Sequence, residues 1–258
     1  MNLFFHMNHE SILSIDNFKS EAARLEIRLT NDQAKQLSTY AQILIEYNKH
    51  TNLVGNAAPE CLLFDHILDS LALLPILNGL QAKKSALPAS LIDIGSGAGF
   101  PGLVLAIAKG DLKVTAVDAT NKKVVFLQSV VEALDLSKHV RIINARAEDI
   151  ANSKAFRSSF DYATCRALGA LPVVCELTLP FLKPGGCALL QRGSKQIEAE
   201  KSMAQKAVAQ LGATLVESIL LDRQVLAKDH YVLIFKQDKQ APPKYPRQWK
   251  DIKAKPIF

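Results

Sequence analysis

The sequence predicts an α/β protein: a mostly parallel, seven-stranded sheet with helices on both faces, preceded by a helical cap. Three observations carry that prediction. In Leu91-Ile92-Asp93-Ile94-Gly95-Ser96-Gly97-Ala98-Gly99-Phe100-Pro101-Gly102 an apolar run holds an acid, and four glycines then fall within eight residues. Strand, glycine turn and helix start, in that order, are how α/β proteins hold a nucleotide-like ligand. From Leu91 onward, short apolar runs alternate with helical stretches, the mark of a parallel sheet. Ahead of Leu91 the apolar positions recur with the period of a helix instead.

The elements follow in order. Residues 1 to about 29 hold one short amphipathic helix. Thr30 and Gln33 then form a capping box, and Leu37, Tyr40, Ala41, Leu44 and Ile45 fall on one face of the helix behind it. That helix ends near Tyr47-Asn48-Lys49-His50-Thr51-Asn52-Leu53. Pro59 opens another, which runs to about Leu74 and is closed by Pro75. Gln81 to Ser90 is the joint to the sheet. Strands are expected at 91–94, 113–118, 140–144, 160–165, 187–191, about 213–222 and 230–236, the last two joined without a helix into a hairpin. Helices are expected at 101–109, 121–135, about 170–182 and 195–211. The tail from Lys239 is rich in Pro and Lys, lacks periodicity and is expected to be extended or partly disordered. The division is therefore 1–85 cap, 86–238 sheet domain and 239–258 basic tail.

Composition narrows the function classes. The chain has 258 residues, enough for a full core, and no apolar run long enough to span a bilayer. The segment Met1 to His6 has no basic n-region, which argues against a secretory signal and for a cytoplasmic protein. Cys61, Cys165, Cys175 and Cys187 are dispersed, which fits reduced, mostly buried thiols and no metal site. Between Lys236 and Phe258 seven Lys and Arg stand against Asp238 and Asp251, a net +5 of the chain's formal +6. The excess charge sits in the tail.

Two ligand readings compete for the glycine loop. Gly97, Gly99 and Gly102 satisfy the dinucleotide spacing, with Asp118 following at the end of a second strand. Gly95, Ser96, Gly97 and Gly99, preceded by Asp93, resemble instead the S-adenosylmethionine loop of class I (Rossmann-like) methyltransferases. Later features favour the second. Asp118 can take both ribose hydroxyls, Ala147 and Glu148 follow the third strand where that class contacts adenine, and Leu182-Lys183-Pro184-Gly185-Gly186 resembles its turn before strand five. No second domain remains to orient a hydride acceptor. Simpler roles stand beside these: Asp93 as a loop brace, Asp118 as a helix cap, Glu148 as a solvated charge and Cys165 as a buried thiol rather than a nucleophile.

At the end of strand four, Asp161-Tyr162-Ala163-Thr164-Cys165-Arg166-Ala167 has no proline pair to grip an exocyclic amine. An acceptor that needs neither base nor covalent adduct fits, and guanine N7 is one. Tyr47 to Leu53, His66-Ile67-Leu68-Asp69-Ser70, Asp93 to Gly102, Ala145-Arg146-Ala147-Glu148, Arg166-Ala167 and Lys244-Tyr245-Pro246-Arg247 occur in order. Together they resemble the bacterial 16S ribosomal RNA guanine-N7 methyltransferase G (glucose-inhibited division protein B) family, from about residue 25 to the C-terminus. The resemblance implies methylation of one guanine N7 in the 530 loop of small-subunit rRNA, with S-adenosylmethionine as donor. It also implies that Gly95, Phe100, Ala147, Glu148 and Arg166 line the cofactor site beside the cap. The chain departs from the family's pattern at Asp65, at Gln191-Arg192-Gly193 and around Lys228-Asp229-His230.

No catalytic base is expected; His66, Asp69 and Arg166 are candidates for positioning. Asn52, His66 and Asp69 can orient the target base, or His66 and Asp69 can lock the cap to the sheet. Asn52, Arg192, Lys195, Lys244, Arg247, Trp249 and Lys250 are the candidates for RNA contact, with Trp249 either stacked on an unpaired base or packed back onto the domain. On this reading deleting residues 240–258 weakens RNA binding in a salt-dependent way and leaves cofactor affinity intact. The partner is small-subunit rRNA or an assembling 30S particle, and the protein is a monomer. The rival classes are a methyltransferase of another RNA or of a small molecule, and a non-enzymatic RNA-binding module.

Overall fold

The computed structural model describes residues 12–82, 88–166, 168–193, 197–221, 226 and 229–257. Its sheet has seven strands in the order β3-β2-β1-β4-β5-β7-β6. These are β1 (Ser90–Ile94), β2 (Lys113–Asp118), β3 (Val140–Asn144), β4 (Phe160–Cys165), β5 (Leu182–Gly193), β6 (Ala213–Leu221) and β7 (His230–Gln237). Only β7 runs against the direction of the other six strands, as the predicted closing hairpin requires. The chain order reverses between β1 and β4, which opens the crevice where open α/β sheets bind ligands.

The strands' alternating side chains feed two cores. On one face Leu91 packs with the cap helices α1 (Ile15–Ala23) and α2 (Asn31–Thr51), and with α6 (Gly102–Ala108) and α7 (Asn121–Ala133). On the other face Ile92 and Ile94 pack with α8 (Ala147–Ile150), α9 (Leu171–Thr178), α10 (Ile197–Gln210) and the C-terminal α11 (Trp249–Ala254). The capping box on α2 forms as read: Gln33 N donates to Thr30 Oγ1 and Thr30 N to Gln33 Oε1. Leu37, Tyr40, Ala41 and Leu44 are all buried along that helix. Each such leucine contributes about 1.5–3 kcal/mol of burial, which is what docks the cap.

Four expectations need correction. The helix from Pro59 is not one α-helix ending at Pro75. It is α3 (Pro59–Cys61), a π-helical stretch Leu62–Leu68 and α4 (Asp69–Leu71), followed after Ala72 by α5 (Leu73–Gln81). Pro75 lies in the first turn of α5, where a missing N–H costs no helix bond. The turn before strand five lies inside β5, because Leu182 pairs with Phe160 before Cys187 takes up the register beside Tyr162. A single helical turn, α8, also stands where none was read between β3 and β4. The tail is folded, not extended, for reasons that concern the site.

Candidate active site

The glycine loop leaves β1 and is pinned to β2: Gly95 N and Ser96 N donate to Val117 O at 2.8 and 3.0 Å. Gly95 and Gly97 have φ of 69° and 61°, a region that side chains enter only with strain. Asp93 lies wholly buried beneath the loop and braces it. Its Oδ2 accepts from Ser96 Oγ at 2.6 Å and from Gly102 N at 3.0 Å. A Cβ on Gly102 would sit 2.6 Å from that oxygen, so only glycine allows the approach. Burial pushes the Asp93 carboxyl up to about 7, against the pull of those two hydrogen bonds and of Arg166. The bracing role is the one it plays.

The cap reaches the same loop. Tyr40 Oη donates to Ala98 O at 2.6 Å, and burial pushes the phenol up so that it stays a donor. Periodicity marked Tyr40 only as a core position. After α2, Asn52 takes a left-handed conformation (φ 48°), and Asn48 Oδ1 accepts from Leu53 N and Val54 N. That turn delivers Leu53 and Val54 to the cleft, two residues that the sequence reading missed.

The loop cleft has a volume of about 350 Å³. It brings together Gly95, Ser96, Gly97, Phe100, Asp118, Ala147, Glu148 and Arg166, all but one of the residues predicted for the cofactor. Gly99 is the exception. It lies behind the loop, where a Cβ would strike Leu103 and Leu127. Asp118 Oδ2 accepts from Gly97 N at 2.9 Å and Oδ1 from Thr120 N at 2.8 Å. Thr120 holds the N-cap position of α7, without a side-chain capping bond, so Asp118 stands two residues before the cap. A carboxylate at this strand end can accept both hydroxyls of a ribose. Glu148 is 5% exposed and pairs with Arg146 at 3.3 Å, which corrects its reading as a solvated charge. Val117, Ala147 and Leu177 give this part of the cleft an apolar lining suited to a purine. Donor set and shape fit S-adenosylmethionine.

Arg166 also lines a second cleft of about 480 Å³, with Asp65, His66, Asp69, Gln191, Arg192 and His230 around it. Its Nη1 donates to Asp69 Oδ2 at 3.1 Å and to Asp65 O at 3.2 Å, and its Nη2 lies 2.8 Å from His66 Nδ1. A guanidinium only donates, so His66 Nδ1 accepts and the imidazole proton sits on Nε2. Asp69 Oδ1 is 2.7 Å from His230 Nδ1, and Gln191 Nε2 donates to Asp69 O. The Phe100 ring lies under this network, stacked on His66 at 4.9 Å and beneath the Arg166 guanidinium at 5.0 Å. His66 and Asp69 thus do lock the cap to the ends of β4, β5 and β7. The π-helical stretch contributes Asp65 and His66, and α4 begins at Asp69. The pairing of Asp69 with His230, 161 residues apart in sequence, was not readable from spacing.

The candidates for RNA contact divide. Asn52, Lys244 and Lys250 are exposed. Arg192 is committed to Glu200 and to Gly169 O, and Arg247 to the buried Glu176. Trp249 lines the loop cleft, and Lys195 lies outside the described residues. The Cys165 thiol is buried and burial pushes its pKa far up, so it is no nucleophile. Among the described residues no helix is long and apolar enough to cross a membrane.

Comparison with known proteins gives the family. The profile of the family described as GidB, rRNA small subunit methyltransferase G, matches residues 33–226. A ribosomal RNA small subunit methyltransferase G of Leuconostoc citreum is 41% identical over 246 residues, 95% of this chain and 100% of that one. Another, of Alkaliphilus oremlandii, is 38% identical over 242 residues, 94% and 98% of the two chains. Among solved structures, M. jannaschii TYW2 in complex with AdoMet covers 64% of this chain and 75% of its own, with a TM-score of 0.48 and 16% identity, too slight a likeness to bear on function. With relatives this similar from end to end, the chain belongs to the rRNA small subunit methyltransferase G family and is a methyltransferase that uses S-adenosylmethionine.

Proposed function

We propose that this chain methylates N7 of a guanine in the 530 loop of 16S ribosomal RNA by direct in-line transfer, with no general base. The observation that carries the reading is the wall that the two clefts share. Arg166 stands between them with its guanidinium held by Asp69, Asp65 O and His66. When bound, the cofactor supplies an electrophilic methyl on a sulfonium sulfur. Guanine N7 offers an in-plane lone pair and carries no proton, so placement at near-attack distance is the main demand on the protein. In this reading Gly95, Ser96, Gly97, Phe100, Asp118, Ala147 and Glu148 hold the donor. The second cleft takes the flipped base. The remaining N–H groups of Arg166 serve guanine O6 and leave N7 facing the loop cleft. His66 and Asp69 position that guanidinium; neither moves a proton. Asn52, Lys244 and Lys250, all exposed, follow the RNA backbone. A monomer acting in the cytoplasm on rRNA or on an assembling 30S particle completes the proposal.

The test is transfer from methyl-labelled S-adenosylmethionine to undermethylated 30S subunits and to naked 16S rRNA, with small acceptors as controls. Label in N7-methylguanosine at one 530-loop position is the expected result. Label on an exocyclic amine, a ribose or C5, or transfer to the small acceptors, overturns the reading.

A further inference from the structure

The basic tail is anchored as a structural element. Glu176 on α9 is wholly buried, and its two oxygens accept from Arg247 N at 2.9 Å, Nε at 2.9 Å and Nη2 at 2.7 Å. Arg157 donates from Nη1 to Tyr245 O at 2.8 Å, and from Nη2 to Ala241 O at 2.6 Å and Pro242 O at 3.0 Å. Tyr245 Oη donates to Gln210 Oε1 at 3.0 Å, and Ile252 and Ile257 are buried in the second core. A carboxylate without exposed surface needs its partner in place, since an unpaired buried charge is strongly disfavoured. These contacts fix where α11 begins, and it begins at Trp249. The half-buried indole lines the loop cleft and packs against the second core, to which the cleft's Val117, Ala147 and Leu177 also belong. Those three are the apolar lining suited to a purine.

We infer that Trp249 is a cofactor-binding residue: its indole packs against the adenine of bound S-adenosylmethionine, and the basic tail is a wall of the cofactor site. The inference rests on the reading that the loop cleft takes the cofactor, and is independent of which atom receives the methyl. It reverses the expectation that deleting residues 240–258 spares cofactor affinity. An indole face against an adenine is the kind of contact whose loss weakens binding about tenfold or more. The tail then also joins the two ligands, because Lys244 and Lys250 lie on the same folded segment as the indole.

Trp249 is the only tryptophan in the chain, so its fluorescence reports on this site alone. The experiment titrates the full-length protein with S-adenosylhomocysteine, followed by tryptophan emission and by calorimetry. Wild type is expected to show a saturable emission change. Trp249→Ala is expected to weaken calorimetric affinity about tenfold, Trp249→Phe only a few-fold, and Arg247→Ala to weaken it with the indole still present. Unchanged affinity in Trp249→Ala, with or without an emission change in wild type, overturns the inference. If the alanine variant does not fold, the wild-type emission titration and Trp249→Phe decide: no emission change together with unchanged affinity overturns it. Asp118→Ala separates the two levels. If that variant binds like wild type, the assignment of the cleft itself fails. If it weakens while Trp249→Ala does not, only the role of Trp249 fails.

Discussion

Replacing Asp93 by Asn tests the electrostatics beneath the glycine loop. The carboxyl is wholly buried, Oδ1 has no hydrogen-bond partner among the described residues, and burial pushes its pKa from 3.8 up to about 7. Between those values the folded protein keeps a proton that the unfolded chain has released. Stability from this group is therefore complete below about pH 4, falls as pH rises, and levels off above about pH 7. At about 1.4 kcal/mol per pH decade, the whole window is worth about 4 kcal/mol. Asparagine does not titrate and keeps a side-chain oxygen for Ser96 and Gly102. The stability of wild type relative to Asp93→Asn should then fall by about 3 kcal/mol between pH 4.5 and pH 8. Urea unfolding followed by circular dichroism at those two pH values measures it. Parallel pH profiles for the two proteins would refute the argument, as would a difference of opposite slope.

Other variants probe the junction and the sulfur. Arg166→Lys keeps a charge beside Asp69 but has one nitrogen where three acceptors are now served, so it should lose about 2–4 kcal/mol of stability in urea. Its kcat/KM for rRNA should fall at least tenfold, and a variant that matches wild type in both would remove Arg166 from the centre of the site. Cys165→Ala should keep its rate of methyl transfer, because the thiol is buried and held protonated; a collapse in rate with the fold intact would revive covalent chemistry.

What was legible in the chain was local. The capping box, the glycine loop, the acid that ends β2 and the alternation of strands and helices each depend on residues close in sequence, and each stands where it was read. Contacts that span the fold were not legible. Tyr40 reads as one more apolar helix position, yet its hydroxyl holds the loop 58 residues away. His230 and Trp249 come to their clefts through pairs that no periodicity encodes, and Arg157 holds the tail through carbonyls more than 80 residues on in the chain. The tail misled for a physical reason. Its order comes from one buried carboxylate and one arginine elsewhere in the fold, Glu176 and Arg157, not from its own composition. Pro75 misled in a similar way, since a proline can close one helix or sit in the first turn of the next.

Guanine N7 of small-subunit rRNA is the acceptor proposed for this methyltransferase. Mapping N7-methylguanosine along that rRNA, from cells with and without this protein, tests it most directly. One 530-loop guanine is expected to carry N7 methylation in cells with the protein and to lose it in cells without. Unchanged N7 methylation in its absence, or the loss of a different modification, would contradict it.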